Sequence, residues 1–174
     1  MKNTKSTQKT AMSTLFIMLI VSGCYLPMTG TIIDAETKAP IEGAVVLVEW
    51  TKVKGIGFTY TESYKVAETT SDKDGKFHLP GCICVGTDEP DVTIYKKGYV
   101  AWNNKYIFPN YAKRAHFAWG SEYYEINSFP PAYSHDKHVT FVNSMIHLGL
   151  GQKKIISESL GWEESEAFKE RTHR

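Results

Sequence analysis

Apolar positions along this chain change character three times. Residues 11–21 form a run broken only by Ser13 and Thr14, after a stretch carrying Lys2, Lys5 and Lys9 and no acid. From about residue 29 to 102 the apolar positions come in short Val- and Ile-rich segments separated by Gly, Pro, Asp and Thr, the pattern of strands and turns. Strands are predicted at 30–34, 41–50, 66–70, 75–79 and 92–95. In the second, Val46 and Val48 face opposite Val45, Leu47 and Glu49. Residues 51–61 mix Lys, Gly and Thr and predict a loop or a loose edge hairpin. Asp74-Gly75 supplies the positive φ of a tight hairpin turn, with Asp72 accepting from the turn's own N–H groups and Phe77 pointing into the core. Beyond residue 101 the pattern turns aromatic and irregular, then helical. Val139, Val142, Met145 and Ile146 recur at helical spacing over 134–148, with Ser134 as N-cap and Gly149 just past the end. A second helix is predicted over about 152–171, kinked or divided at Gly161.

The first apolar run is too short for a membrane-spanning helix of about 20 apolar residues, and its basic leader marks it as a secretory signal. It ends in Val21-Ser22-Gly23-Cys24. This resembles the bacterial lipobox: an aliphatic residue, two small residues that let a peptidase approach the backbone, and a Cys whose thiol takes a diacylglycerol. The resemblance implies cleavage after Gly23, with diacylglycerol and an N-acyl chain on Cys24, no other cofactor, and a membrane partner reached through lipid. Each buried CH₂ contributes about 0.8 kcal/mol, so several chains anchor durably where one does not. Tyr25 stands where Asp would favour inner-membrane retention, so in a two-membrane host the outer membrane, facing the periplasm, is expected.

Cleavage removes three of the 20 basic residues and none of the 19 acidic ones, leaving the remainder slightly acidic. No Lys/Arg stripe exists, which argues against nucleic acid. The remaining cysteines, Cys82 and Cys84, would sit about 6.6–6.8 Å apart in a strand, the upper limit for a relaxed disulfide. A turn would bring them closer. Free thiols and a local bridge both stay open.

Four blocks then carry a family resemblance: GTIIDAETKAP and IEGAVVLV, then TTSDKDGKFHLP, then VTIYKKGY. In order and over roughly 75 residues, they resemble the carboxypeptidase regulatory-like domain. The resemblance implies a transthyretin-like Greek-key β-sandwich of about seven strands, noncatalytic and an accessory module on enzymes, surface proteins and outer-membrane receptors. The expected organisation is a signal at 1–23, a lipidated N-terminus and short tether at 24–28, the sandwich at 29–102, and an aromatic-rich extension with C-terminal helices at 103–174.

Aromatic residues make up 13% of the chain. Many beyond residue 101 either fill a supplementary core or form an open platform for a sugar or a protein partner. Trp102, Trp119, Tyr123 and Tyr124 are the candidate binding surface. His135 and His138, three apart, share a helical face and are weak metal candidates with Asp136 or Glu122, against surface or capping roles; His147 points elsewhere, and His78 and His116 are unplaced. Asp72 and Asp74 are spaced like calcium ligands, but the Gly falls too early and no Glu closes the loop. The hydrolase motifs His-x-x-Glu and Gly-x-Ser-x-Gly, the phosphate loop and the dinucleotide fingerprint are absent. The expectation is a membrane-anchored, nonenzymatic binding or scaffold protein acting on an envelope protein or glycan, with carbohydrate binding second and a metal-dependent hydrolase third.

Overall fold

The computed structural model describes residues 24–115, 117–146 and 154–173. The expected signal with Val21, Ser22 and Gly23, together with His116, His147 and Gly149, lies outside the described residues. The strands in chain order are β1 (Cys24–Tyr25), β2 (Met28–Asp34), β3 (Val45–Lys54), β4 (Tyr60–Thr70), β5 (Lys76–Leu79), β6 (Cys82–Ile83), β7 (Asp91–Tyr95), β8 (Trp102–Asn103), β9 (Tyr106–Ile107), β10 (Ala112–Lys113) and β11 (Tyr123–Ile126). Two helices follow, α1 (His135–Met145) and α2 (Lys154–Thr172).

One sheet runs β4-β3-β7-β8 and the other β11-β2-β5. They face each other across Ile32, Val46, Val48, Trp50, Phe77, Val92, Ile94 and Tyr124, so the protein is mainly β, a sandwich with a helical C-terminal appendage. The turn at 72–75 forms as its residues predict. The Asp72 carboxylate accepts from the N–H groups of Asp74 and Lys76, both at 2.9 Å, and Gly75 takes φ 73°. A Cβ on Gly75 would lie 2.5 Å from the Ile32 carbonyl oxygen. The turn is not a hairpin, however, because β4 and β5 belong to different sheets; it carries the chain from one to the other. A second Asx turn follows β2, where Asp34 accepts from the N–H groups of Glu36 and Thr37. Those bonds, from Thr37 above all, hold its carboxyl below the ordinary value.

β3 departs from simple in-out alternation. Residues 45–51 are all buried. Val46 and Val48 enter the core between the sheets, whereas Val45 and Leu47 pack outward beneath Phe141, Val142, Ile156 and Leu160 of the helices. Each such side chain stabilises by about 1.5–3 kcal/mol, which is what holds the helices on the outer face. Ser134 caps α1 as expected, accepting from Lys137 N–H at 3.3 Å. α2 runs unbroken through Gly161. Carboxylates from other elements complete both helix starts. Glu170 of α2 accepts from the N–H groups of His135 and Asp136 and from Ser134 Oγ, and Glu68 of β4 accepts from those of Ile155 and Ile156.

Two boundaries differ from those expected. The sandwich does not end at 102, since β11 pairs in parallel with β2 (Tyr123 opposite Thr31 through Ile126 opposite Asp34) and supplies a sheet edge. Residues 24–28 are not a free tether, because β1 pairs with β6, Cys24 opposite Ile83 and Tyr25 opposite Cys82. Residues 51–61 form an edge hairpin, one of the two expected arrangements: past a bulge between Trp50 and Thr51, β3 and β4 pair on to Lys54 opposite Tyr60, beyond the last residue pairing with β7, and the loop 55–59 joins them. Cys82 and Cys84 are joined in a disulfide with Cα atoms 5.3 Å apart, closer than strand spacing because β6 ends at Ile83.

Candidate binding surface

Two buried asparagines create the surface around Trp102. The Asn103 side chain donates to Val92 O and Thr93 Oγ1 and accepts from the N–H groups of Lys105 and Tyr106. Asn104 accepts from Val92 N–H and donates to Pro90 O. These bonds replace the ladder where β8 stops and turn the chain into the small β9–β10 hairpin. Arg114, just after it, donates Nε–H to Asn103 O at 2.8 Å and lays its guanidinium 4.6 Å from the Trp102 ring centre. Burial lowers the Arg114 pKa without threatening its charge.

Beside this pair opens a cleft of about 290 Å³, lined by Trp102, Phe108, Arg114 and Tyr133 with the carboxylates Glu36 and Glu125. Lys38 bonds Glu125 at 2.8 Å. On the other side of Arg114 a more open groove of about 440 Å³ is lined by Glu89, Lys105, Tyr106, Lys113 and Phe117. An aromatic ring with carboxylates and a guanidinium at its edge suits a ligand that offers an apolar face and several hydrogen-bonding groups.

The four aromatic candidates do not form one platform. Trp102 is half-buried, with Tyr124 edge-on at 5.3 Å and Phe117 at 5.8 Å. Tyr124 is core, 2% exposed, and its burial raises the phenol pKa to about 12. Its neighbour Tyr123 points to the opposite, solvent side because successive strand residues alternate. Trp119 packs on Trp50 at 6.3 Å and donates its indole N–H to Leu26 O at 3.1 Å, at the β1 end of the sandwich. Only Trp102 of the four lines the cleft.

His135 and His138 are brought together, but not with Asp136 or Glu122. Asp136 pairs with Arg171 at 3.1 Å. Both imidazoles meet Glu163 of α2: Nδ1 of His135 lies 2.5 Å from its Oε1, and Nδ1 of His138 2.9 Å. The His135 contact has the better alignment; the His138 contact is close without being well directed. Tyr95 donates its hydroxyl to the other carboxylate oxygen at 3.0 Å. Burial opposes the charge on Glu163, yet the bonds from His138, His135 and Tyr95 outweigh it and keep the carboxyl below its ordinary range. Burial and that same charge push the Tyr95 phenol well above its usual value. His138 is fully buried, so neither the surface nor the capping role expected of it applies; it joins α1 to the sheet through Ala101 and to α2 through Glu163. Among the described residues no group of three His, Cys, Asp or Glu is arranged to hold a metal ion. Glu163 opens the run EESEAFKER, which by its charge predicts a solvated face, yet it is buried; its only signal was its place on the helical face of Ile156 and Leu160.

No protein-family model matches the chain, and no curated protein matches it. Among solved structures it is similar to the shaft pilin SpaA from Lactobacillus rhamnosus GG, at 21% identity over 63% of this chain and 47% of that one, with a TM-score of 0.30. It is similar also to the C-terminal domain of that pilin, at 21% identity over 62% of this chain and 98% of that one, with a TM-score of 0.31. The matched region spans about half the length of the full pilin.

Proposed function

We propose that this chain is a lipid-anchored envelope protein whose sandwich is a noncatalytic binding or scaffold module of carboxypeptidase regulatory-like type. The observation that carries this reading is the start of the fold. The lipobox Cys24 is itself the first residue of a strand, so an acyl group there would hang directly on the folded body with no flexible stalk between. The cleft at Trp102 is the surface it presents. Among the described residues, the buried histidine–carboxylate cluster supports a noncatalytic role, because its bonds tie structural elements together, joining α1 to α2, to β7 and to the backbone at Ala101. Crosslinking in native membranes, followed by capture of the acylated chain and mass spectrometry, tests the reading. A protein partner joined near residues 102–133 supports it; turnover of an envelope substrate, abolished by one His or acid substitution, overturns it.

A second reading rests on the cleft itself. Trp102 with Glu36, Glu125 and Arg114 suits a sugar, which stacks on a ring and fills carboxylates with its hydroxyls. Glycan titrations that change tryptophan emission, weakened by Trp102→Ala and indifferent to Tyr123→Ala, would place carbohydrate first.

A further inference from the structure

The β3–β4 ribbon ends in the loop 55–59, Gly55-Ile56-Gly57-Phe58-Thr59, and this tip is apolar and bare. Ile56 is fully exposed and Phe58 is 97% exposed, with Val53 beside them at 57%. Single exposed apolar residues are ordinary, but two at the end of a projecting arm, with nothing packed on them, are not.

The arm projects from the same end of the sandwich as Cys24. β2 reaches that end at Met28, opposite Leu79, and β3 reaches it at Trp50. One bond ties the two sheets together at this end: Lys65, opposite Trp50, donates Nζ to Gly81 O at 3.2 Å. From Met28 the chain runs back four residues to Cys24, roughly 13 Å at about 3.3 Å per residue, and β3 runs on four residues from Trp50 to Lys54, the same distance. Cys24 and Lys54 therefore reach about equally far, and the tip at 55–59 lies beyond Lys54. Further exposed apolar side chains, Leu26, Ile83 and Val85, lie around the β1–β6 pair.

Just behind the tip the chemistry changes in the way a bilayer interface demands. Lys54 is ion-paired with Glu62, so the ribbon offers little net charge there. Lys52 sits 3.7 Å from the ring centre of Tyr64, and Tyr60 is exposed opposite Lys54. Tyrosine and lysine behind an apolar tip form the order found at membrane surfaces, where rings and ammonium groups occupy the headgroup layer and aliphatic carbon lies beneath. We propose that this hairpin is a second membrane contact, in which Ile56 and Phe58 enter the lipid interface beside the acyl chains of Cys24 and fix the tilt of the sandwich on the bilayer. The occupant is lipid rather than protein because the tip lies at the end of the sandwich that carries the lipid attachment point, and a little beyond it. The inference rests on the acylation of Cys24 proposed above.

The test uses the full chain, produced in a lipoprotein-processing bacterium and reconstituted into phosphatidylethanolamine–phosphatidylglycerol vesicles. An environment-sensitive fluorophore is placed at Phe58→Cys or, as the control, at Lys73→Cys in the turn at the far end of the sandwich. A nitroxide-bearing phospholipid then reads depth. The label at 58 is expected to lose more than half its emission to the lipid-borne nitroxide, and the label at 73 almost none. Equal insensitivity at both positions on acylated, vesicle-bound protein overturns the hairpin contact and leaves the anchor standing. The mass of the N-terminal peptide reports acylation independently, and an unmodified Cys24 overturns the anchor and the hairpin contact together.

Discussion

The backbone N–H of Ala101 donates to Nε2 of His138 at 2.9 Å, with the ring fully buried. A nitrogen that accepts carries no proton, so the neutral ring keeps its hydrogen on Nδ1, facing Glu163. One side chain thus joins the segment leading into β8 to both helices. His138→Ala would leave a buried N–H and a buried carboxylate short of a partner, with a void between them. The expected loss is about 3 kcal/mol, read from the midpoint of urea unfolding.

Acid should act on the same cluster. Glu163 has its carboxyl pKa lowered in the fold from a starting value of 4.5. A group that binds its proton less readily folded than unfolded contributes stability that is complete above the unfolded value and is lost as the pH falls through the folded one. Unfolding free energy should therefore drop below pH 4.5, and Glu163→Gln should shallow that slope while lowering stability at neutral pH. Asp34 and Glu170, with lowered pKa values too, keep part of the slope in the variant. An unchanged acid limb in Glu163→Gln would contradict the assignment.

Adjacent tyrosines should behave oppositely. Tyr124 packs against Phe77 and Trp102 in the core, whereas Tyr123 is 54% exposed. Tyr124→Ala is expected to cost about 3–5 kcal/mol, and Tyr123→Ala to stay within about 0.5 kcal/mol of the parent in thermal unfolding.

Glu170 replaces water at the open N-terminus of α1. Glu170→Ala should cost about 1 kcal/mol, Glu170→Gln less, since an amide oxygen still accepts but carries no charge for the helix dipole. Helix-region amides of residues 135–137 should exchange faster with solvent in both variants. Protection equal to the parent's would refute the cap.

Local chemistry made much of this fold readable. The Asp72–Gly75 turn, the Ser134 cap and the Val-rich β3 depend on residues a few positions apart, and each appears where its pattern places it. What escaped were pairings across long stretches of chain. Nothing near Tyr123–Ile126 states that this short segment lies parallel to β2, because such a partner is chosen by the open sheet edge and not by its neighbours. The cover on the outside of β3 did leave a trace. Val45 to Val48 is an unbroken apolar run, the mark of a strand buried on both faces, and its side chains alternate between those two faces as expected. Of the proposed surface, Trp102 was legible as an aromatic near a strand end. Arg114 over its ring and the carboxylates across the cleft depend on the β9–β10 excursion that Asn103 and Asn104 initiate, and two asparagines in an irregular segment do not announce their partners.

The pairing of β2 with β11 has a kinetic side. β2 must wait during synthesis for a partner some ninety residues downstream, and β3 must wait longer still for the helices that cover Val45 and Leu47. Contacts so distant in sequence close slowly, and meanwhile the outer strip of β3 is exposed to every other nascent chain in its compartment. Were Cys24 acylated early, as the proposed anchor allows, the protein would complete its fold while already tethered, with the bilayer beside the strip until α1 and α2 arrive.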